Sequence, residues 1–244
     1  MSAWPDAVDR LFNPAPQVRV LQLGGGRLCL VVDDALVDPQ AAVDWARRQP
    51  FEEPRGFPYP GQVLAAPPTL AARMTEFFAL HLRGPLGARR TLAASVRMAM
   101  VTTPPAALSP VQWQCHRDRL GPVEDGLLLA ASVLYLFRDP AQGGTSFYAP
   151  KVPLALVDRM VLEAQTLDAR TYAERYGLTP GYMVGDNDYF ERVAQVPARW
   201  NRLIAYDGGL FHTGDIGDAA RLNPDPALGR LTMNGFFTCR RRAA

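Results

Sequence analysis

Three histidines occur in these 244 residues, and two of them stand where a metal centre could be assembled. His116 opens a His-x-Asp triplet with Asp118. His212 lies far downstream, beyond the strand-like run Arg202 to Tyr206. Two neutral imidazoles and one carboxylate that leave coordination positions open form the donor set of a non-haem ferrous centre, where O2 and a second ligand can bind. Nearer the C-terminus, Arg230 and Thr232 make an Arg-x-Thr pair on another strand-like run. A guanidinium fork beside a hydroxyl suits the far carboxylate of a 2-oxo acid.

Spacing supports this chemistry only if the chain is extended at those points. His116 and Asp118 are two residues apart, so on a strand both side chains face one side. The following Gly121-Pro122 would end that strand and leave the carboxylate at a barrel mouth. Gly208-Gly209 provides the turn from which His212 re-enters. Arg230 and Thr232 share a strand face with Asn234 and Phe236. An arginine pointing into an apolar barrel needs an anion, because an unpaired buried charge is costly. A His-x-Asp triplet, a Gly-x-x-His and an Arg-x-Thr are each common by chance. In this order, each on or beside a β-like run, they seldom coincide. Asp215 is a rival carboxylate, but it falls in a glycine-flanked loop without the same-face argument.

The rest of the chain reads as a scaffold for that set. Val18 to Leu23 and Arg27 to Val32 flank Gly24-Gly25-Gly26 and predict a hairpin; the triplet lacks the Lys-Ser/Thr of a phosphate loop. Asp38-Pro39 starts a helix to about Gln49. A long Pro- and Gly-rich loop is predicted from Pro50 to Pro68, then a second helix from Thr69 to Arg83 that carries His81 on its surface or half-buried. From Thr91 onward short strands dominate: Ala93 to Val101, Val111 to Arg117, Leu127 to Phe137, Thr145 to Tyr148, Tyr189 to Val196, Arg202 to Tyr206 and Leu231 to Thr238. The segment Pro153 to Tyr176 has a helical pattern and reads as an insertion. The expected organisation is one domain, with residues 1–90 as an N-terminal support region and 91–239 as a jelly-roll core.

Composition narrows the function classes. With 48% hydrophobic and 20% charged residues, the chain can bury a core. A net charge of +2 gives no nucleic-acid footprint, and Arg240 to Arg242 read as a solvated tail. Met1 to Asn13 lacks a signal-peptide pattern and no apolar run reaches membrane-spanning length. Cys29, Cys115 and Cys239 are odd in number without metal spacing, which suits a cytoplasmic protein, and Cys115 reads as a packing residue. Gln114 and Asn234 share strand faces with the site and could touch a substrate, whereas Trp113 and Trp200 read as core aromatics. Asp186-Asn187-Asp188 reads as a turn before a strand, and the loops Pro50 to Pro68 and Pro150 to Gly185 as lid candidates.

Taken together, these motifs resemble the Fe(II)/2-oxoglutarate-dependent dioxygenases, in particular their prolyl 4-hydroxylase-like branch. Ser132 to Phe137 followed by Gly143-Gly-Thr-Ser-Phe-Tyr148 is similar to that branch's strand and Gly-Gly-x-Thr-x-Phe hairpin. Asn201 to Tyr206 leading to His212, and Arg230 to Phe237, resemble its strand into the distal histidine and its closing strand. Leu30 to Asp38 resembles its strand-to-helix opening. The resemblance implies a mainly β fold with flanking helices around a double-stranded β-helix, and Fe(II) held by His116, Asp118 and His212. It implies that Arg230, helped by Thr232 and Tyr135, binds the distal carboxylate of 2-oxoglutarate. The implied activity is O2-dependent hydroxylation of a C–H bond in a small molecule, amino acid or peptidyl side chain, with release of succinate and CO2. Trp113 stands where close prolyl hydroxylases have a tyrosine-rich approach, and the Pro153 to Tyr176 insertion lengthens the gap between the histidines, so the substrate stays open. A non-catalytic jelly-roll module that retains the metal site is the alternative.

Overall fold

The closing strand, Arg230–Arg241, sorts its side chains by parity. Leu231, Met233, Phe237 and Cys239 are buried in one large hydrophobic cluster. Arg230, Thr232, Asn234 and Phe236 alternate with them, so they face the opposite side of the sheet. The computed structural model describes residues 11–118 and 126–242. Among these, the strands are β1 (Val18–Gly24), β2 (Arg27–Val32), β3 (Gly61–Ala65), β4 (Ala88–Val101), β5 (Leu127–Tyr135), β6 (Thr145–Pro150), β7 (Phe190–Val196), β8 (Arg202–Asp207), β9 (Phe211–Gly214) and β10 (Arg230–Arg241).

Two antiparallel sheets result. The larger runs β1-β2-β8-β5-β10-β4-β3 and the smaller β7-β6-β9. A main-chain bridge from His116 to His212 adds one more segment beside β9. From β4 onward the chain therefore passes between sheets: β4 large, the His116 segment small, β5 large, β6 and β7 small, β8 large, β9 small, β10 large. Two sheets wound together in this way form a double-stranded β-helix, the jelly-roll architecture.

Helices α1 (Pro39–Ala46) and α2 (Pro68–Phe77) cover the outer face of the large sheet. Asp38 caps α1 by accepting from the Ala41 amide at 3.0 Å, with Pro39 in the first turn. A π-helical turn, Phe78–Leu82, continues α2 and stacks Phe78 on Phe237 at 3.8 Å. Trp45, Leu70, Met74 and Phe78 join Met98, Leu134, Leu231 and Met233 in one core. That outer core leaves the inner face of the sheet free for the barrel. His81 is half-buried against the Phe77 ring.

Several expectations are corrected. The loop Pro50 to Pro68 contains edge strand β3, which pairs with β4 from Gly61↔Val101 to Ala65↔Arg97; prolines suppress a strand signal but are tolerated at an edge. Val111 to Arg117 is not a strand. Ser109 and Gln112 form a capping box around a 3₁₀ turn, Pro110–Gln112, and only His116 is bridged. Within 150–185 the expected helical insertion, Pro153 to Tyr176, is present. It folds as α3 (Leu154–Ala164) and α4 (Ala169–Tyr176), which close a small core around Trp113, Met160 and Tyr172. Arg240 and Arg241 are exposed, as expected, but they extend β10 instead of forming a tail, and Arg241 pairs with Asp207 at 2.8 Å. Gly121-Pro122 and most of the N-terminal segment 1–13 lie outside the described residues. Among the described residues no helix is long and apolar enough to cross a membrane.

Candidate metal centre

His116 and His212 meet across an antiparallel pair in which each amide donates to the other's carbonyl at 2.9 Å. Such a pair places both side chains on one face, and the ring centroids lie 4.5 Å apart. Two residues on, the Asp118 amide donates to the Gly208 carbonyl at 2.8 Å. The carboxylate then lies between the rings: Oδ1 is 3.7 Å from His116 Nε2 and Oδ2 is 3.6 Å from His212 Nε2. One ligand atom from each residue lies within 4.8 Å of the others. Donors about 2.1 Å from a shared ion stand roughly 3–4 Å apart, so small adjustments suffice for one metal.

The chemistry of the donors fits a metal as well. His212 Nδ1 lies 2.8 Å from the Leu210 carbonyl. A carbonyl only accepts, so Nδ1 carries the proton and the Nε2 lone pair is left for an ion. Burial lowers the His212 imidazole to about 4, keeping it neutral at physiological pH. His116 shifts the same way through burial and then the His212 charge. With 56% of its side chain exposed, solvent weakens that push. Burial raises Asp118, and its Oδ2 has no hydrogen-bond partner. A buried carboxylate oxygen without a partner is costly, and a divalent cation would relieve it.

Gly208 lets that carboxylate approach. A Cβ there would stand 2.8 Å from Asp118 Oδ2 and 3.1 Å from the Leu129 carbonyl. Gly208→Ala is expected to preserve the fold while displacing Asp118, weakening metal binding by about tenfold to a hundredfold in an Fe(II) or Mn(II) titration. Unchanged affinity would remove Asp118 from the ligand set.

Arg230, 5% exposed, lies on the same inner face. Its Nε donates to the carbonyls of Gln142 at 3.0 Å and Gly143 at 3.2 Å, and its Nη2 to Gly144 at 2.8 Å. The charge is thus partly compensated by backbone dipoles of the Gly143-Gly144 turn. Thr232 is opposite Tyr135 in the β10–β5 register. The Thr232 hydroxyl donates to the Ala99 carbonyl at 3.3 Å, and the Tyr135 hydroxyl pairs with Thr145 Oγ1 at 2.8 Å. The three residues share a wall, although neither hydroxyl bonds to the guanidinium.

The remaining candidates separate cleanly. Asp215 accepts from Gln195 and lies 3.9 Å from Arg192, outside the histidine cluster. Gln114 accepts from Asn187 Nδ2 at 2.9 Å, and Asn187 itself receives the Tyr189 and Phe190 amides at the turn before β7. Trp113 is buried with Nε1 on the Leu108 carbonyl at 3.1 Å, whereas Trp200 is half-buried beneath Arg138. Cys115 is buried. Tyr59 and Arg97 were missed, and both reach the inner wall. Burial pushes the Tyr59 hydroxyl up to about 12, against the pull of Arg230 and Arg97. Arg97 was visible as a lone charge at an inward position of an apolar strand. Tyr59, between two prolines, carried no local signal.

Fold and cluster together define a double-stranded β-helix protein with two imidazoles and one carboxylate arranged so that they could hold a metal ion. The chain belongs to the family of unknown function DUF6445, whose model matches residues 14–237. No curated protein matches the sequence. Among solved structures, it is similar to HygX from Streptomyces hygroscopicus with nickel, 2-oxoglutarate and hygromycin B bound, at 13% identity over 87% of this chain and 82% of that one, with a TM-score of 0.46. A Pseudomonas putida prolyl-4-hydroxylase is 16% identical over 98% of this chain and 97% of its own, with a TM-score of 0.41. SnoN, the non-heme alpha ketoglutarate dependent epimerase from nogalamycin biosynthesis, is 12% identical over 87% and 80%, with a TM-score of 0.43.

Proposed function

We propose that this protein is an Fe(II)- and 2-oxoglutarate-dependent oxygenase, of the prolyl 4-hydroxylase-like branch. Its reaction would hydroxylate a C–H bond of a small molecule, amino acid or peptidyl substrate, with release of succinate and CO2. The observation that carries this reading is the convergence of His116, Asp118 and His212 on one point beside a wall bearing Arg230. These three residues would hold the iron, which with 2-oxoglutarate supplies the activation of O2. Arg230 spends Nε and Nη2 on the Gln142, Gly143 and Gly144 carbonyls, and its Nη1 would be the donor to the far carboxylate of the diacid. Tyr135 and Thr232, on the same wall, would flank that carboxylate and orient it. Tyr206 packs edge-on against His212 at 4.8 Å, with Phe147 at 6.4 Å. These aromatics exclude water from behind the ligand and fix its ring.

Anaerobic addition of Fe(II) and then 2-oxoglutarate tests the reading. A visible charge-transfer absorption is expected to appear with both present, and succinate to accumulate once O2 and a substrate are supplied. A non-catalytic module would give neither signal. Two-oxoglutarate that fails to perturb the metal's absorption would refute the proposal.

A further inference from the structure

Resting on that reading, we infer that Arg97 is a specificity-determining residue of the site, set to receive a carboxylate on the molecule to be oxidised. Arg97 lies opposite Asn234 in the β4–β10 register, four residues along β4 from Val101, the partner of Arg230. Parity puts Arg97 and Arg230 on the same inner face, and four residues of strand separate their rows by roughly 13 Å. The two cations therefore occupy different stations along the barrel. Arg230 is buried and tied to the Gly143-Gly144 turn. Arg97, Phe57 and Phe236 are half-buried, and Ser95, the next inward residue, is exposed. Arg97 thus stands toward the open end, where a substrate enters.

Among the described residues no carboxylate forms an ion pair with Arg97. The guanidinium carbon lies 4.1 Å from the Phe57 ring centroid and 4.6 Å from that of Phe236. Its Nε and Asn234 Oδ1 are buried without a hydrogen-bond partner, and the buried Tyr59 hydroxyl lies beside the Thr232 side chain. The negative charges that act on Arg97 come from Tyr59, were it ionised, and from Asp118. Burial holds the Tyr59 phenol neutral, and a metal ion would take up the charge of Asp118. Arg97 is then a cation among aromatic rings, whose attraction is weaker than an ion pair. Two rings thus flank a half-buried guanidinium whose Nε has no partner. An edge-on fork matches the two oxygens of a carboxylate, and the Tyr59 hydroxyl and Asn234 amide can bond the groups beside it. The far carboxylate of the diacid is assigned to Arg230 and its 2-oxo acid end would be taken up by the metal, so the carboxylate at Arg97 is assigned to the primary substrate.

Matched pairs of N-acetyl-amino acids and their amides test this, titrated calorimetrically into protein loaded with Mn(II) and 2-oxoglutarate. Succinate release by the Fe(II) form in air is the second readout. In the wild type the acids are expected to bind about tenfold or more tightly than the amides. Arg97→Gln should reduce that preference to within about twofold while leaving 2-oxoglutarate affinity unchanged, and Arg97→Lys, which keeps the charge, should restore part of it. Wild-type protein that does not distinguish acids from amides overturns the inference. So does an Arg97→Gln protein that keeps the preference, or one that loses 2-oxoglutarate affinity instead. Acids bound through Arg97 without any succinate release would uphold the carboxylate site and sink the oxygenase reading.

Discussion

Asp118→Ala is expected to abolish metal-dependent turnover and yet leave the metal-free protein as stable as the wild type, or slightly more so. The reason lies in the state of the carboxylate. The Asp118 side chain is 9% exposed, its Oδ2 is buried without a hydrogen-bond partner, and its nearest polar neighbours are the His212 imidazole, which burial keeps neutral, and the more exposed His116 ring. Removing a poorly compensated buried charge relieves desolvation instead of breaking a bond. His212→Ala should behave differently without metal. Its ring is 5% exposed, bonded to the Leu210 carbonyl and packed on Tyr206, so its loss should cost about 2–4 kcal/mol. Metal at a hundredfold over its dissociation constant should stabilise the wild type by about 2.7 kcal/mol, a rise of roughly 5–10 °C in melting temperature for a chain of this size. Both variants should lose that rise. Thermal melts with and without Mn(II), alongside Fe(II) titration, read all three quantities. An Asp118→Ala protein that still gains stability from metal would dissolve the proposed ligand set.

The two stability signs also show why the site was legible in part. Ligand identity is a matter of residue type and order, which the chain displays directly in His116, Asp118 and His212. Strand β10 was equally readable, because its two-residue period separates Leu231, Met233 and Phe237 from Arg230, Thr232 and Asn234. What positions the ligands is long-range. The local pattern places His116 on a strand, but the Ser109–Gln112 capping box turns the chain just before it. The histidine is held instead by a pair of hydrogen bonds to a residue 96 positions away, which no local pattern announces. Strand β3 was hidden among prolines because its partner, β4, supplies most of the reason for it to be extended. Tyr59 arrives with that edge segment and reaches the inner face near Thr232, Arg230 and Arg97. Gly208 is intelligible only once Asp118 is seen against it.

Arg230→Ala is expected to have two separable effects, and their separation decides what this arginine does. The sequence required an anion to justify a buried guanidinium. The structure gives it three carbonyls, from Gln142, Gly143 and Gly144. Deleting the side chain leaves those acceptors without their donor in a turn so tight that a Cβ on Gly143 would overlap the Asp215 carbonyl, and one on Gly144 that of Val196. A loss of about 2–3 kcal/mol in stability should follow. If Nη1 also holds the diacid, 2-oxoglutarate binding should weaken by a further 2–5 kcal/mol, roughly thirtyfold to several thousandfold. Arg230→Lys keeps the charge but has no fork with which to span the turn. It should recover part of the co-substrate affinity and little of the stability. Calorimetric titration of 2-oxoglutarate into the Mn(II)-loaded variants, well below their melting temperatures, separates the two roles. Lower stability with unchanged 2-oxoglutarate affinity would make Arg230 a strut of the Gly143-Gly144 turn and leave the diacid to be held elsewhere.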